Sequence, residues 1–311
     1  MAKSSQAKKR PAPPRAPVKG GRPAGLFTWL AVGLVVVVVA GLVIIKVASG
    51  GTAPGGSSAF QPTDPTTFNE LTKVPASVFN TVGVTSPAVL VSAPLTLKTQ
   101  PLLTGTSSSG AILPEVLYIG AEYCPYCAAQ RWTTIIALSR FGKWSGLGDM
   151  TSSSIDYAPN TPTFTFLRAK YVSKYLVFKS VEETTNVFNS TINNYNPLQK
   201  PTTQEAALIK KYDTGKYVPG LTTQQDGSIP FITFANKFLV AGASYGPLTL
   251  AGSTRSDIAA GLSNPISPIT QAIISSANDQ SAAICTLTKQ LPRSVCTSSG
   301  VKAADKAMKI K

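Results

Sequence analysis

Histidine is missing from all 311 residues of this chain. Its absence removes Ser-His-Asp and Cys-His nucleophile systems and every imidazole-based metal site. Cysteine is almost as scarce, with four residues, Cys124, Cys127, Cys285 and Cys296. A four-thiolate zinc site needs two close pairs. Ten residues separate Cys285 from Cys296, so no metal is expected. The chain also lacks a glycine-rich phosphate loop and a dinucleotide fingerprint, so no cofactor is expected. Acidic residues are few, 14 against 29 Lys and Arg, for a net charge of +15. The excess is lopsided, because Lys3, Lys8, Lys9, Arg10, Arg15, Lys19 and Arg22 supply +7 of it before residue 26. A nucleic-acid surface needs a basic, aromatic-bearing face on a folded domain. A proline-rich basic tail is not that, and no nucleic-acid partner is expected.

What the chain does have, first, is one long apolar run. Leu26 to Ile45 holds 20 residues without a charge. A helix of that length spans about 30 Å, the thickness of a hydrocarbon core. Trp29 suits one interface and Lys46 reaches the other. The cationic flank lies before the run, which predicts a single-pass anchor in the cell membrane over residues 26–48. It leaves a basic disordered tail, 1–25, in the cytoplasm and the main domain outside the cytoplasm. A cleaved signal peptide is the competing reading, but its apolar core is usually shorter, about 7–15 residues. Either way the cysteines lie in a compartment that permits disulfides.

The second feature is Cys124-Pro125-Tyr126-Cys127, reached through the apolar run Val116-Leu117-Tyr118-Ile119-Gly120. This spacing puts Cys124 at a helix N-cap and Pro125 at the first helical position, where its missing N–H costs nothing. Helix-start amides favour negative charge, so Cys124 is expected to have a lowered pKa and to act as the attacking thiolate. Cys127, one turn on, is the expected resolving thiol. Glu122 is a candidate for proton transfer, against the plainer reading of a solvated loop carboxylate. Tyr126 must lie beside the reactive sulfur, although Tyr123, Tyr126 and Trp132 read first as packing residues.

Along the chain, residues 49–84 read as a flexible stalk, rich in Gly, Ser, Thr and Pro up to residue 66, and an entry segment in which Phe68–Leu71 and Val74–Val82 make a short helix or pack against the domain. Pro87 to Val91 reads as a first strand, followed by a strand over 115–121 and a helix over 127–141 with Gly142 as its stop. Further strands are expected at 164–167 and 175–178, and a helix at 203–213 capped by Thr202 or Thr203. A hairpin joins 231–234 to 238–241 through Ala235-Asn236-Lys237. Helices at 254–262 and 268–291 precede a frayed end, 301–311. The order describes an α/β fold, a mixed sheet with flanking helices, preceded by a transmembrane helix and followed by a C-terminal helical extension over 263–311. Cys285 and Cys296 read as a structural disulfide that pins this extension. A second redox relay and free thiols are the alternatives.

The segment Leu117–Cys127 (LYIGAEYCPYC), the helix after it and Ile229-Pro230 ahead of the hairpin resemble the thioredoxin-like superfamily over residues 85–262. The resemblance implies that Pro230 is a cis-proline facing the two thiols. It also implies that the backbone of Ile229 holds an extended substrate. The anchor, the long loops and the cysteine-bearing end resemble an uncharacterised family, the domain of unknown function numbered 929, which brings no activity with it. Two departures stand out. Tyr118 occupies the position where thioredoxins keep a buried acid. The Pro-Tyr pair is similar to that of glutaredoxins, though nothing in an exported chain argues for glutathione. Together these features predict a membrane-anchored thiol–disulfide oxidoreductase acting on cysteines of exported proteins or of a membrane redox partner. The rival is a non-catalytic thioredoxin-like envelope scaffold in which the two cysteines are structural or vestigial.

Overall fold

The computed structural model describes residues 60–310. The tail, the anchor and most of the stalk lie outside the described residues. Among the described residues no helix is long and apolar enough to cross a membrane.

A mixed sheet forms the centre. Its strands are β1 (Leu95–Thr96), β2 (Thr104–Thr106), β3 (Ile112–Gly120), β4 (Val177–Glu182), β5 (Phe231–Phe234) and β6 (Phe238–Ala241). β3 is the middle of it. It pairs antiparallel with β5, setting Tyr118 opposite Ile232, and in parallel with β4, setting Tyr118 opposite Ser180 and Gly120 opposite Glu182. Its first three residues pair antiparallel with β2, and β6 carries the short edge strand β1.

Successive side chains of a strand point to opposite faces. Val116 and Tyr118 therefore enter one hydrophobic cluster, and Leu117 and Ile119 the other. Buried on both faces, β3 reads as a continuous apolar run. The larger cluster holds α3 (Pro125–Ser139), α5 (Arg255–Gly261) and α6 (Pro268–Leu287). The smaller one packs under α4 (Thr203–Tyr212), which starts with a capping box between Thr202 and Glu205. The β5–β6 turn has Ala235 and Asn236 at φ +52° and +57°. Its left-handed pair matches the twist of a tight hairpin.

Several expectations need correction. Residues 87–91 form no strand. Leu90 is 87 % exposed, and Val89 and Val91 lean on the core without joining the sheet. Two prolines, Pro87 and Pro94, bracket the segment and leave the edge to β1. The strand expected at 175–178 runs instead over 177–182, because Glu182 is buried and ends the strand rather than following it. The entry segment is helical and packed as expected, but as two helices, α1 (Pro65–Thr72) and α2 (Ala76–Val82), whose Leu71, Phe79 and Val82 join the main core. The helix expected to reach residue 291 ends at Leu287, and positive φ at Lys289 and Gln290 turns the chain back. The end is not frayed, since α7 (Ser299–Ala307) buries Val301 and Ala304. Residues 65–82 and 268–304 thus share one core with the sheet, so the boundaries at 85 and 262 separate no packing unit.

Cys285 and Cys296 form a disulfide, with both residues fully buried and their Cα atoms 5.6 Å apart. Closing a loop of this size stabilises by about 3 kcal/mol in the chain-entropy model. Replacing both cysteines by alanine is expected to cost that amount in denaturant unfolding. A loss under about 1 kcal/mol would mean that α7 docks without the link.

Asp279, on α6, is 5 % exposed, its Oδ1 has no hydrogen-bond partner among the described residues, and burial pushes its carboxyl up to about 7. Between about pH 4 and 7 the folded chain therefore holds a proton that the unfolded chain has released. Stability is expected to fall as pH rises through that window, by a few kcal/mol in order of magnitude. Asp279→Asn should melt above the parent at pH 8 and alongside it near pH 4. A parent melting temperature that stays flat across this range would contradict the assignment.

Candidate functional site

The site lies where β3 hands over to α3. Cys124 is the N-cap, with extended φ −72° and ψ 120°, and Pro125 is the first helical residue. In place of the usual hydroxyl or carboxylate cap, the Cys124 Sγ accepts the Cys127 N–H at 3.2 Å. Cys127 is fully buried and Cys124 is 5 % exposed, and both are free cysteines.

The two sulfurs are driven apart in acidity. Burial works against ionising Cys124, but the Cys127 thiol and amide and the Arg131 charge outweigh it and hold its pKa below the ordinary value. Burial and the neighbouring Cys124 push the Cys127 thiol well up, with Arg131 opposing. Such a division suits one sulfur to attack and the other to wait.

Ile229 and Pro230 come to the same place from 105 residues further on. The Ile229–Pro230 bond is cis, and the Cys124 thiol donates to the Ile229 carbonyl at 3.8 Å. The rim is aromatic. Tyr126, 42 % exposed, stacks with Tyr157, and Tyr123 stacks on Tyr195 with ring centroids 4.1 Å apart. Tyr195 arrives on the hairpin Thr184–Asn189 and Asn194–Pro197 and is fixed by its hydroxyl to Ser153 Oγ at 2.8 Å.

Glu122 is not a solvated loop carboxylate. It is 7 % exposed, accepts from Thr165 Oγ1 at 2.6 Å, and its pKa is raised by burial. It lines a side pocket of about 220 Å³ together with Thr165, Asp149 and Arg168. Neither cysteine lines that pocket, and the charge acting on both thiols is Arg131, not Glu122.

Sequence reasoning passed over Arg131 and Glu182. Both are fully buried and bonded through two pairs of atoms: Nε to Oε1 at 3.0 Å and Nη2 to Oε2 at 2.6 Å. Nη2 also donates to the Ala121 carbonyl at 2.8 Å. The one available signal was an arginine inside an apolar helix, four residues after Cys127 and seven after Cys124. That spacing sets all three on one helix face. Glu182, 51 residues from Arg131, gave no such signal. Tyr118 is buried beneath the site as a neutral phenol, its pKa raised well above the usual value by burial. Its ring lies so close to Gly120 that a Cβ there would overlap the hydroxyl, which accounts for glycine at that position.

A family described as a domain of unknown function (DUF929) matches residues 106–286. No curated protein and no solved structure matches the chain.

The rate of Cys124 alkylation by iodoacetamide is expected to rise with pH through a midpoint below the free-thiol value of about 8.5. Cys127→Ala removes the thiol donor and should move that midpoint up. A parent midpoint at or above the free-thiol value would refute the assigned acidity.

Proposed function

Since this chain belongs to the DUF929 family, whose description carries no activity, we propose a function from its own site: thiol–disulfide exchange through Cys124 and Cys127. The observation that carries the proposal is the cap, in which one sulfur accepts a helix-start amide beside a fully buried second thiol. The cis Ile229–Pro230 bond next to that sulfur, together with the mixed sheet, supports a thioredoxin-like fold as the frame. In this reading residues 26–48 anchor the chain in the membrane. The site then works outside the cytoplasm on cysteines of exported proteins or of a membrane redox partner.

In the reducing direction the Cys124 thiolate attacks a substrate disulfide. A Cys124–substrate disulfide forms, and the first substrate sulfur leaves and takes a proton. Cys127 then gives up its proton, and its sulfur attacks Cys124 Sγ. The mixed disulfide breaks, and the second substrate sulfur leaves as a thiolate that takes that proton. The substrate gains two electrons and two protons, and the protein dithiol becomes a disulfide. The same steps in reverse oxidise a substrate dithiol. Cys124 is the nucleophile and Cys127 the resolving thiol. The Ile229 backbone, beside Pro230, and the Tyr126 ring are the groups that hold substrate next to Cys124.

A second reading, a non-catalytic scaffold, draws on the low exposure of Cys124 and on tyrosine at position 118. Trapping separates the two. In the full chain, Cys127→Ser is expected to accumulate mixed disulfides through Cys124, and Cys124→Ser to accumulate none. If neither variant traps a partner and the parent neither reduces nor oxidises a model disulfide, the scaffold reading stands.

A further inference from the structure

We infer that Arg131, locked in place by Glu182, holds negative charge on the two buried sulfurs and thereby biases the Cys124–Cys127 couple toward its reduced, ionised form. The inference rests on the proposed exchange chemistry and adds a direction to it. Arg131 and Glu182 are positioning residues, acting on the sulfurs from below.

Geometry is the first ground. The guanidinium is fully enclosed, and Glu182 fixes two of its nitrogens. Glu182 is itself used up, because Oε1 also accepts the Phe166 N–H at 3.3 Å while Oε2 takes Nη2. Arg131 Nη1 has no partner among the described residues, and neither does the Tyr118 hydroxyl. The guanidinium carbon sits 5.8 Å from the Tyr118 ring centroid, and its charge favours ionisation of both sulfurs. A positive charge with one spare N–H and a neutral phenol thus occupy the floor, and the Glu182 carboxylate is turned to the guanidinium through both its oxygens.

Energetics is the second ground. A buried ion pair is often no more stabilising than apolar residues of the same volume, so fold stability alone gives weak reason for this one. Ionising a thiol in a dry site is costly unless an opposite charge is near. Arg131 supplies that charge at the two moments a thiolate exists, on Cys124 before attack and on Cys127 as it resolves the mixed disulfide. The disulfide form carries no charge to hold. A fixed cation therefore favours dithiol over disulfide, which is what makes a couple oxidising.

The test uses the full chain and three measurements. Replacing both partners, Arg131→Met with Glu182→Gln, removes the charges without stranding one. The Cys124 alkylation midpoint should rise by about one pH unit or more. The equilibrium with glutathione should move about tenfold toward disulfide, about 30 mV. Glu182→Gln alone leaves the cation uncompensated, and both quantities should move the other way. Should the double variant fail to fold, the single variant decides, and the parent alone gives a third readout: its reduced form should melt above its oxidised form. Midpoint and equilibrium unchanged in a folded variant, or an oxidised parent that melts higher, overturns the inference. Failure of the two ideas is distinguishable. A midpoint that moves in a chain that traps no partner keeps Arg131 and sinks the exchange chemistry, and trapping with a fixed midpoint does the reverse.

Discussion

The bond from the Cys127 amide to the Cys124 sulfur makes three demands at once. The helix must begin at Pro125, β3 must end at Gly120 so that four residues can turn the chain, and Cys124 must face inward. A sulfur in that position is a helix cap, and its charge is shared with the amides of the first turn. The rest of the molecule serves that placement. β3 is buried on both faces and paired on both edges, so its end point is fixed from four sides. α3 is held against α6 and cannot slide along its axis without disturbing a core that reaches from Leu71 to Ala304.

The parts of this arrangement written in short-range chemistry were legible in the sequence. The Pro at N1, the helix start at Thr202 or Thr203, which the structure resolves to Thr202 as cap, and the turn Ala235-Asn236-Lys237 each carry their meaning within a few residues. All three form where the pattern puts them. The disulfide between Cys285 and Cys296 forms as the first of the three readings that their placement allowed. Elements whose identity depends on distant partners were not legible. Pro87 to Val91 has strand composition but no neighbour to pair with. Residues 177–182 contain Lys179 and Glu182, whose partners Glu115 and Arg131 lie more than 50 residues away in the chain. The buried end of the chain is the same case, since the apolar face of α7 has meaning only against α2 and α6.

The candidate site divides along the same line. Its sulfurs are announced by four consecutive letters, and Ile229-Pro230 by its place before a hairpin. Its charges are hidden. Glu122, two residues from Cys124, was a candidate proton carrier or else a solvated loop carboxylate, yet the turn aims it at Thr165 and a side pocket. Arg131 looked like one polar residue in a helix, yet it is the charge that both thiols feel.

That exchange of roles bears on what kind of thiol chemistry the site can favour. A buried carboxylate beneath two cysteines repels a thiolate and so makes the dithiol comparatively costly. A buried guanidinium does the opposite, and it keeps its charge because, although burial opposes the cation, the Glu182 carboxylate bonded to it holds its pKa well above the usual value. Tyr118 then has a clear reason to be tyrosine. It fills the floor beneath the sulfurs without adding a negative charge, and Gly120 gives its ring the room to do so. The sign of the charge under the site, rather than the two residues between the cysteines, is the feature from which the direction of electron flow is best argued.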